Sequence, residues 1–449
     1  MDRRHRPDRS LHPQDKHRLA AAHQLVRISD EGAFAQIVAE DSSGNLPPKV
    51  REYVSGVTRW RRWLDHLIDR RYTGEAESFD ALVREIARIG AYDLVILGTP
   101  PHVAVSAAVA VARETAAKGA DRLINAVLRR IAEEGREPSV ESTGEPHDDL
   151  AIRWSHPTWM VRRWVDRFGE ADTVALMKHN NDRPWYGIRS SPFVAVPRAV
   201  HEIVGQLGMQ SRDTPLPEFV MVDRLGPLVR EGLIEDGTVA VQDVAAAMAV
   251  RLLDPQPGET IIDACAAPGG KSTYAAIRMN NEGRIVAVDR NRSRLRMLKR
   301  SAGRQRIKII DTVEADFAAL NSELLPRADR ILIDAPCSGL GVLARRPDLR
   351  WRKTEADVEA LLHVQDRLLD RAATLAVPGG LIVYSTCTTT VEENSGTVER
   401  FLDRHEEFSV EPAGDLLPGE YLNEAGALET LPHVHGIDGA FAVRLRRRS

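Results

Sequence analysis

The sequence predicts a multidomain chain: an all-α unit over residues 1–140, a small α+β connector over 150–238, and a C-terminal α/β unit over 239–449. Three observations carry this. Apolar residues recur at helical spacing through the first third. Between Ile152 and Val239 a helix-like stretch gives way to short strand-like pieces separated by prolines. From Gln242 onward the pattern is strand, glycine-bearing turn, helix, repeated, which is the signature of a doubly wound, mainly parallel sheet. A length of 449 residues fits two or three domains.

Each element follows from local chemistry. Phe79–Leu97 and His102–Ala116 carry apolar residues at helical spacing, and Gly98-Thr99-Pro100-Pro101 breaks the helix between them. Asp121–Gly135 is amphipathic, with Asp121 as its expected N-cap and Gly135 as its stop. The polar, Pro- and Gly-bearing stretch Arg136–Asp149 reads as a linker. In the connector, Trp159–Gly169 is helical, and Trp185–Ser191 and Glu218–Gly226 are strand-like. The sheet strands are expected at TIIDAC, RIVAVD, IKIIDTVEAD, RILIDAPC and LIVYSTC, with GAFAVRLRR as a final antiparallel strand.

Composition narrows the class. Hydrophobic content of 43% and charged content of 28% suit a globular chain with a real core, and a net charge of −4 is not that of an overall basic nucleic-acid binder. Local basic patches stand at Arg59–Tyr72 and Arg444–Arg448. The first could grip phosphates or form a solvated helix face. Three scattered cysteines make neither a disulfide framework nor a zinc site, so no metal is expected, and His433–His435 reads as a loop. The charged start, MDRRHRPDRSLHPQDKHR, has no apolar leader segment, and no apolar run is long enough to span a bilayer. A cytoplasmic protein with no membrane partner is expected, with the monomer as default.

The expected strand ends concentrate acids and small residues. The first runs into Asp263-Ala264-Cys265-Ala266-Ala267-Pro268-Gly269-Gly270-Lys271, where glycines allow close backbone approach and a helix N-terminus offers free N–H groups. Asp289 closes the second, placed for ribose hydroxyls. Asp316 follows the third, suited to an adenine amino group, and Asp334 ends the fourth. Acids at successive strand ends beside such a loop point to an adenosyl ligand. Taken singly, each acid could serve as a turn former or helix cap.

Taken in order, DACAAPGGKS, AVDRNRSRL, EADF, IDAPCSGLG, RRPDLRW, YSTCTTTVEEN and HGIDGAF resemble the RNA cytosine-5 methyltransferases of the Sun (Nop2/Fmu) family, from about Gly237 to Arg446. INAVLRRI (Ile124–Ile131) is similar to the RNA-binding NusB-type helical domain, and SHPTWMVRRW (Ser155–Trp164) to the family's connector. A NusB-like head on this body resembles the bacterial 16S ribosomal RNA methyltransferase B group. The tail carries Ile437 and Ala440 where the family has a small polar residue and an aromatic. Ile188-Arg189-Ser190-Ser191 stands where it has L-R-x-N.

The resemblance implies a Rossmann-like catalytic domain that uses S-adenosyl-L-methionine, held by Cys265–Lys271, Asp289, Asp316 and Asp334, with RNA as partner. It also implies Cys387 as a nucleophile that adds to C6 of cytosine, and Cys337 as the group that assists release. Asp334 is suited to hydrogen-bond N4 or protonated N3 of the base. Lys271 is left between acting on a thiol or the base and capping its helix. The bland reading of a cysteine is a small buried hydrophobe, and it suits the Cys265 side chain. The βαβ spacing of Cys337 and Cys387 puts their strands in parallel, with Thr354 and Asp357 forming a capping box on the intervening helix. Competing readings are an inactive RNA-binding assembly factor, a tRNA methyltransferase, and a DNA cytosine-5 methyltransferase with its nucleophile in Pro336-Cys337.

Overall fold

A computed structural model describes residues 11–29, 46–72, 80–115, 117–320 and 325–449. The leading residues 1–10, Phe79 and Ala116, which enter the expectations above, lie outside the described residues. The chain divides into two units: Met1–Asp182 with Arg346–Arg352, and Arg183–Arg345 with Lys353–Ser449.

In the first unit the described regular elements are helices: α1 (Pro13–Ser29), α2 (Pro48–Asp69), α3 (Ala81–Val95), α4 (Pro101–Ala112), α5 (Ala120–Glu133), α6 (Pro146–Arg153) and α7 (Thr158–Asn181). Asp80 caps α3 by accepting from the N–H groups of Leu82 and Val83, and Pro101 opens α4 where its missing N–H costs nothing. Val54, Leu64, Leu67, Ile68, Ile124, Leu128 and Ile131 are buried between the helices. Two expectations need correction. Asp121 is not the N-cap of α5: Gly119 holds that place at φ +80°, and Asp121 sits in the first turn, where the helix dipole favours an acid. The expected linker contains α6, started by Pro146 and carrying Asp148 and Asp149 in its first turn.

The basic run in α2 is mostly internal wiring. Arg59 and Arg71 are buried, and Arg62 donates to His156 O (2.8 Å), Thr158 Oγ1 (2.9 Å) and Asp148 Oδ1 (2.7 Å). Arg70 and Arg71 pair with Glu141 and Glu134. Arg59, Arg62 and Arg71 are thus tied within the unit, while Arg70 is exposed.

Arg350, in the returning segment, is fully buried. It donates to Arg59 O (3.0 Å), Ser155 O (3.0 Å), Asn180 O (3.0 Å) and Asn181 Oδ1 (2.9 Å), and burial pushes its pKa well down. Trp351 Nε1 adds a bond to Thr58 O at 2.6 Å.

The second unit holds two sheets. A small antiparallel one has the order β2-β3-β1-β4, from β1 (Tyr186–Ser190), β2 (Ser211–Asp213), β3 (Phe219–Val222) and β4 (Val239–Val241). The large one has the order β10-β12-β9-β8-β5-β6-β7. Its parallel strands are β5 (Thr260–Ala264), β6 (Arg284–Asp289), β7 (Ile310–Glu314), β8 (Ala328–Asp334) and β9 (Ala376–Thr386). The expected final strand, β12 (Ala440–Arg447), pairs antiparallel with β9; β10 (Phe408–Glu411) and β11 (Leu428–Thr430), unanticipated, pair with β12. His433–His435 is not a loop but part of a short helix, Pro432–His435. Strand β5 has β6 on one side and β8 on the other, so the chain order reverses there and opens a ligand crevice at the strand ends.

Replacing Arg350 with Met is expected to strand several buried carbonyl oxygens. Each lost bond costs about 1–3 kcal/mol, so urea unfolding of the first unit should shift to a markedly lower midpoint.

Candidate active site

Strands β8 and β9 pair in parallel with Asp334 opposite Ser385, and both run straight into their cysteine loops. This brings the sulfurs of Cys337 and Cys387 to 3.3 Å, and the backbone N–H of Cys387 donates to Cys337 Sγ, also at 3.3 Å. The capping box of Thr354 and Asp357 is present on the connecting helix, Glu355–Leu375.

A buried carboxylate holds the two loops together. Glu393 accepts from Ser338 N (2.8 Å), Ser338 Oγ (2.5 Å), Thr390 Oγ1 (2.6 Å) and Gln365 Nε2 (3.1 Å), and Ser338 Oγ also lies 2.6 Å from Thr388 Oγ1. From the other side, Gly341 N donates to Cys387 O (3.1 Å) and Gly439 N to Gly341 O (2.8 Å). A Cβ on Gly341 would lie 2.3 Å from Gly439 O, so no larger residue fits.

The electrostatics separate the groups. The hydrogen bond to Cys387, together with burial, pushes Cys337 well above the usual thiol range, so it stays protonated at neutral pH. Burial lowers the pKa of Lys271, but Asp334 more than offsets this through an ion pair at 2.7 Å, and Cys387 acts on the ammonium in the same upward direction. Lys271 therefore stays charged. It lies in the first turn of α11 (Gly270–Arg278) with its side chain on Asp334, so the helix-capping role falls away. Cys265, in the left-handed region at φ +61°, packs against the sheet core, and burial pushes its thiol up to about 12.

The glycine-rich loop lies beside this centre. Ala266 and Ala267 are buried, Ala267 N donates to Asp289 Oδ2 (3.1 Å), and Asn291 N donates to Asp289 Oδ1 (2.8 Å). Gly269, at φ +105°, has Leu298 within 2.4 Å of where a Cβ would stand. Pro268, Gly269, Gly270, Lys271 and Asp334 line a cleft of about 560 Å3 that also reaches Gln242 and Arg189. Asp289 and Asp316 close β6 and follow β7. Asp316 Oδ1 accepts from Ala318 N at 3.0 Å, so it forms the local turn that its bland reading anticipated.

Three residues at the site were given no role from the sequence: Gln242, and Glu393 and Arg189, which stand inside quoted motifs. Arg189 is buried and donates to Gln242 Oε1 (2.9 Å), Gln305 Oε1 (2.9 Å) and Thr273 Oγ1 (3.0 Å); burial lowers its pKa to about 10. A guanidinium can only donate, so it fixes Gln242 with Oε1 inward and leaves Nε2 buried without a partner. That orphan donor beside Gly270 suits a carboxylate, while Asp289 suits ribose hydroxyls. The residues present fit S-adenosylmethionine. In the sequence, only the N-cap pattern of Asp243 before α10 (Val244–Leu253) marked the neighbourhood of Gln242.

A family model described as 16S rRNA methyltransferase RsmB/F matches residues 250–446, and a NusB family model matches residues 15–133. A probable ribosomal RNA small subunit methyltransferase B of Synechocystis is 34% identical over 89% of this chain and 92% of its own length. The chain belongs to this methyltransferase B family. The Bacillus subtilis protein of the same description is 30% identical over 95% of this chain and 98% of its own. Among solved structures, PH0851 superposes on this family member with a TM-score of 0.80 at 26% identity, covering 98% of this chain and 99% of that one. NSun6 from Pyrococcus horikoshii, with SFG, shares the fold at 24% identity and a TM-score of 0.56, over 64% of this chain and 97% of its own. As a methyltransferase B family member, the chain is an S-adenosylmethionine-dependent methyltransferase.

Two outcomes are expected. Burial raises Asp263 to about 7 against a hydrogen bond from Ser272, with Asp334 adding to the rise. A carboxyl raised on folding contributes stability that is full below its unfolded pKa, near 4, and lost as pH climbs through 7. Melting temperature should therefore fall over that window, and Asp263→Asn should flatten the fall. Gly341→Ala should depress methyl transfer by at least tenfold, about 1.4 kcal/mol, while calorimetry finds cofactor affinity little changed.

Proposed function

We propose that this chain methylates C5 of a cytosine in 16S ribosomal RNA through a covalent adduct between Cys387 and C6 of the base. The reading is carried by the 3.3 Å approach of two thiols beside the Lys271–Asp334 pair at the edge of the cofactor cleft. Its RNA component draws on the relatives, described as ribosomal RNA small subunit methyltransferases B, and on the NusB-type match over residues 15–133, to which we assign RNA binding.

C5 of cytosine is too weak a nucleophile to take a methyl group unaided. Addition of the Cys387 thiolate to C6 turns the ring into an enamine whose C5 carries the electron density. S-adenosylmethionine, when bound, supplies the electrophilic methyl. Asp334 spends Oδ1 on Lys271 and turns its other oxygen to N4 or protonated N3, which selects cytosine over uracil. The C5 proton then passes to water, and its bonding electrons expel the Cys387 sulfur from C6 and restore the aromatic ring. Cys337, a neutral thiol in contact with Cys387, assists this elimination by protonating the departing sulfur. We assign the reaction to a monomer in the cytoplasm, where reduced thiols persist; no described helix is long and apolar enough to cross a membrane.

Cys387→Ala is expected to abolish tritium transfer to RNA while calorimetry still finds cofactor bound; wild-type turnover in this variant would remove the assignment. Cys337→Ala is expected to accumulate a protein–RNA adduct that runs as a retarded band on a denaturing gel. Relative to wild type, bisulfite sequencing of rRNA and tRNA from cells lacking the protein should show one newly converted cytosine in 16S rRNA and none in tRNA.

A further inference from the structure

Every charged residue between Asp289 and Asp311 is Arg or Lys, in a chain whose net charge is −4. Most of them lie on α12 (Arg292–Arg304), which Asn291 caps and which buries Leu295, Leu298 and Ala302. The rest of the helix faces outward: Arg292, Arg294, Arg296, Lys299 and Arg300 are exposed. Arg292 meets Glu314 only at 3.6 Å, with both side chains more than half exposed, and Arg304 pairs with Glu235. Among the described residues no ion pair engages Arg294, Arg296, Lys299 or Arg300.

The spacing is specific. Arg292, Arg296, Arg300 and Arg304 follow one another at i, i+4, so four guanidinium groups form one row about 18 Å long, at about 1.5 Å of rise per residue. Like charges at this spacing repel and weaken a helix. Only the ends of the row, Arg292 and Arg304, face an acid, and the uncompensated charge between them is relieved by a polyanion. The row also has a direction, because Arg300 and Arg304, with Met297, line the same cleft as Gly270, Lys271 and Asp334. An arginine row running into a catalytic cleft suits a regularly spaced phosphate backbone.

We propose that this face of α12 is a phosphate track that leads the RNA strand into the catalytic cleft, an inference that rests on the RNA-methylating reading above. The strand's phosphates lie along Arg292, Arg296 and Lys299, and Arg300 and Arg304 receive the segment next to the target base. The contacts are electrostatic and independent of sequence, so they set affinity and salt dependence and leave base choice to the cleft.

The test is a triple variant, Arg292→Gln, Arg296→Gln and Lys299→Gln, which spares the two cleft-lining arginines and keeps good helix formers. Binding of in vitro transcribed 16S rRNA is measured from 50 to 400 mM KCl. Each lost phosphate contact lowers the slope of log K against log salt by about 0.7–0.9, so a drop of about 2 is expected. KM for RNA should rise, with kcat at saturating RNA, cofactor affinity and melting temperature held. A slope and KM equal to wild type, in a wild type that binds and methylates RNA, would overturn the track alone. Polyglutamate competing as well as RNA, with the salt slope unchanged, would overturn it in favour of an acidic protein partner. A wild type that does not bind RNA overturns the underlying reading and the track with it.

Discussion

The register between β8 and β9 is the constraint on which the site depends. Parallel strands place their ends at the same edge of the sheet, and pairing Asp334 with Ser385 leaves two residues before Cys337 on one chain and one before Cys387 on the other. Two loops this short have little freedom, and the buried Glu393 takes up most of what remains by binding Ser338 and Thr390 at once. The thiols meet because the backbone ladder and one carboxylate leave them nowhere else to go. A shift of the ladder by one residue would send both side chains to opposite faces.

The same ladder orders the polar groups into distinct chemical tasks. Cys337 is kept neutral by its hydrogen bond to Cys387 and by burial, so it holds a proton it can give and does not compete as a thiolate. Lys271 keeps its charge because Asp334 holds it at 2.7 Å. Across the cleft, Arg189 does not touch the reacting centre; it locks the carboxamide of Gln242 from behind. Position and protonation are thus settled by partners one step removed from the chemistry.

Much of this was legible in the sequence. The alternation of strands and helices after Gln242, the antiparallel last strand and the paired cysteine loops all follow from periodicity and motif order, because hydrophobic period and turn chemistry are local properties. What was not legible depends on partners distant in sequence. Glu393 lies in a run of ordinary polar residues, and nothing local marks it as buried. Asp121 looked like a cap because Asp is a favoured N-cap residue, but a glycine in the left-handed region starts that helix. The basic runs that stand out, Arg59–Tyr72 and Arg444–Arg448, are substantially neutralised: Arg62 by Asp148, and Arg444 and Arg446 by Glu411. The run whose middle stays without ion pairs, Arg294 to Arg300, is interleaved with Leu295 and Leu298 and reads locally as a common amphipathic helix.

Arg350 has a consequence for biogenesis. The seven-residue piece that carries it, Arg346–Arg352, belongs to the first unit, although about 160 residues of the second are translated before it. Until the ribosome has delivered that piece, the carbonyls of Arg59, Ser155 and Asn180 lack their donor. The amino-terminal helices therefore cannot reach their final state during their own synthesis, and completion waits on a segment made much later. A protein cut after Asp182 is missing a part of its first unit, not only its second.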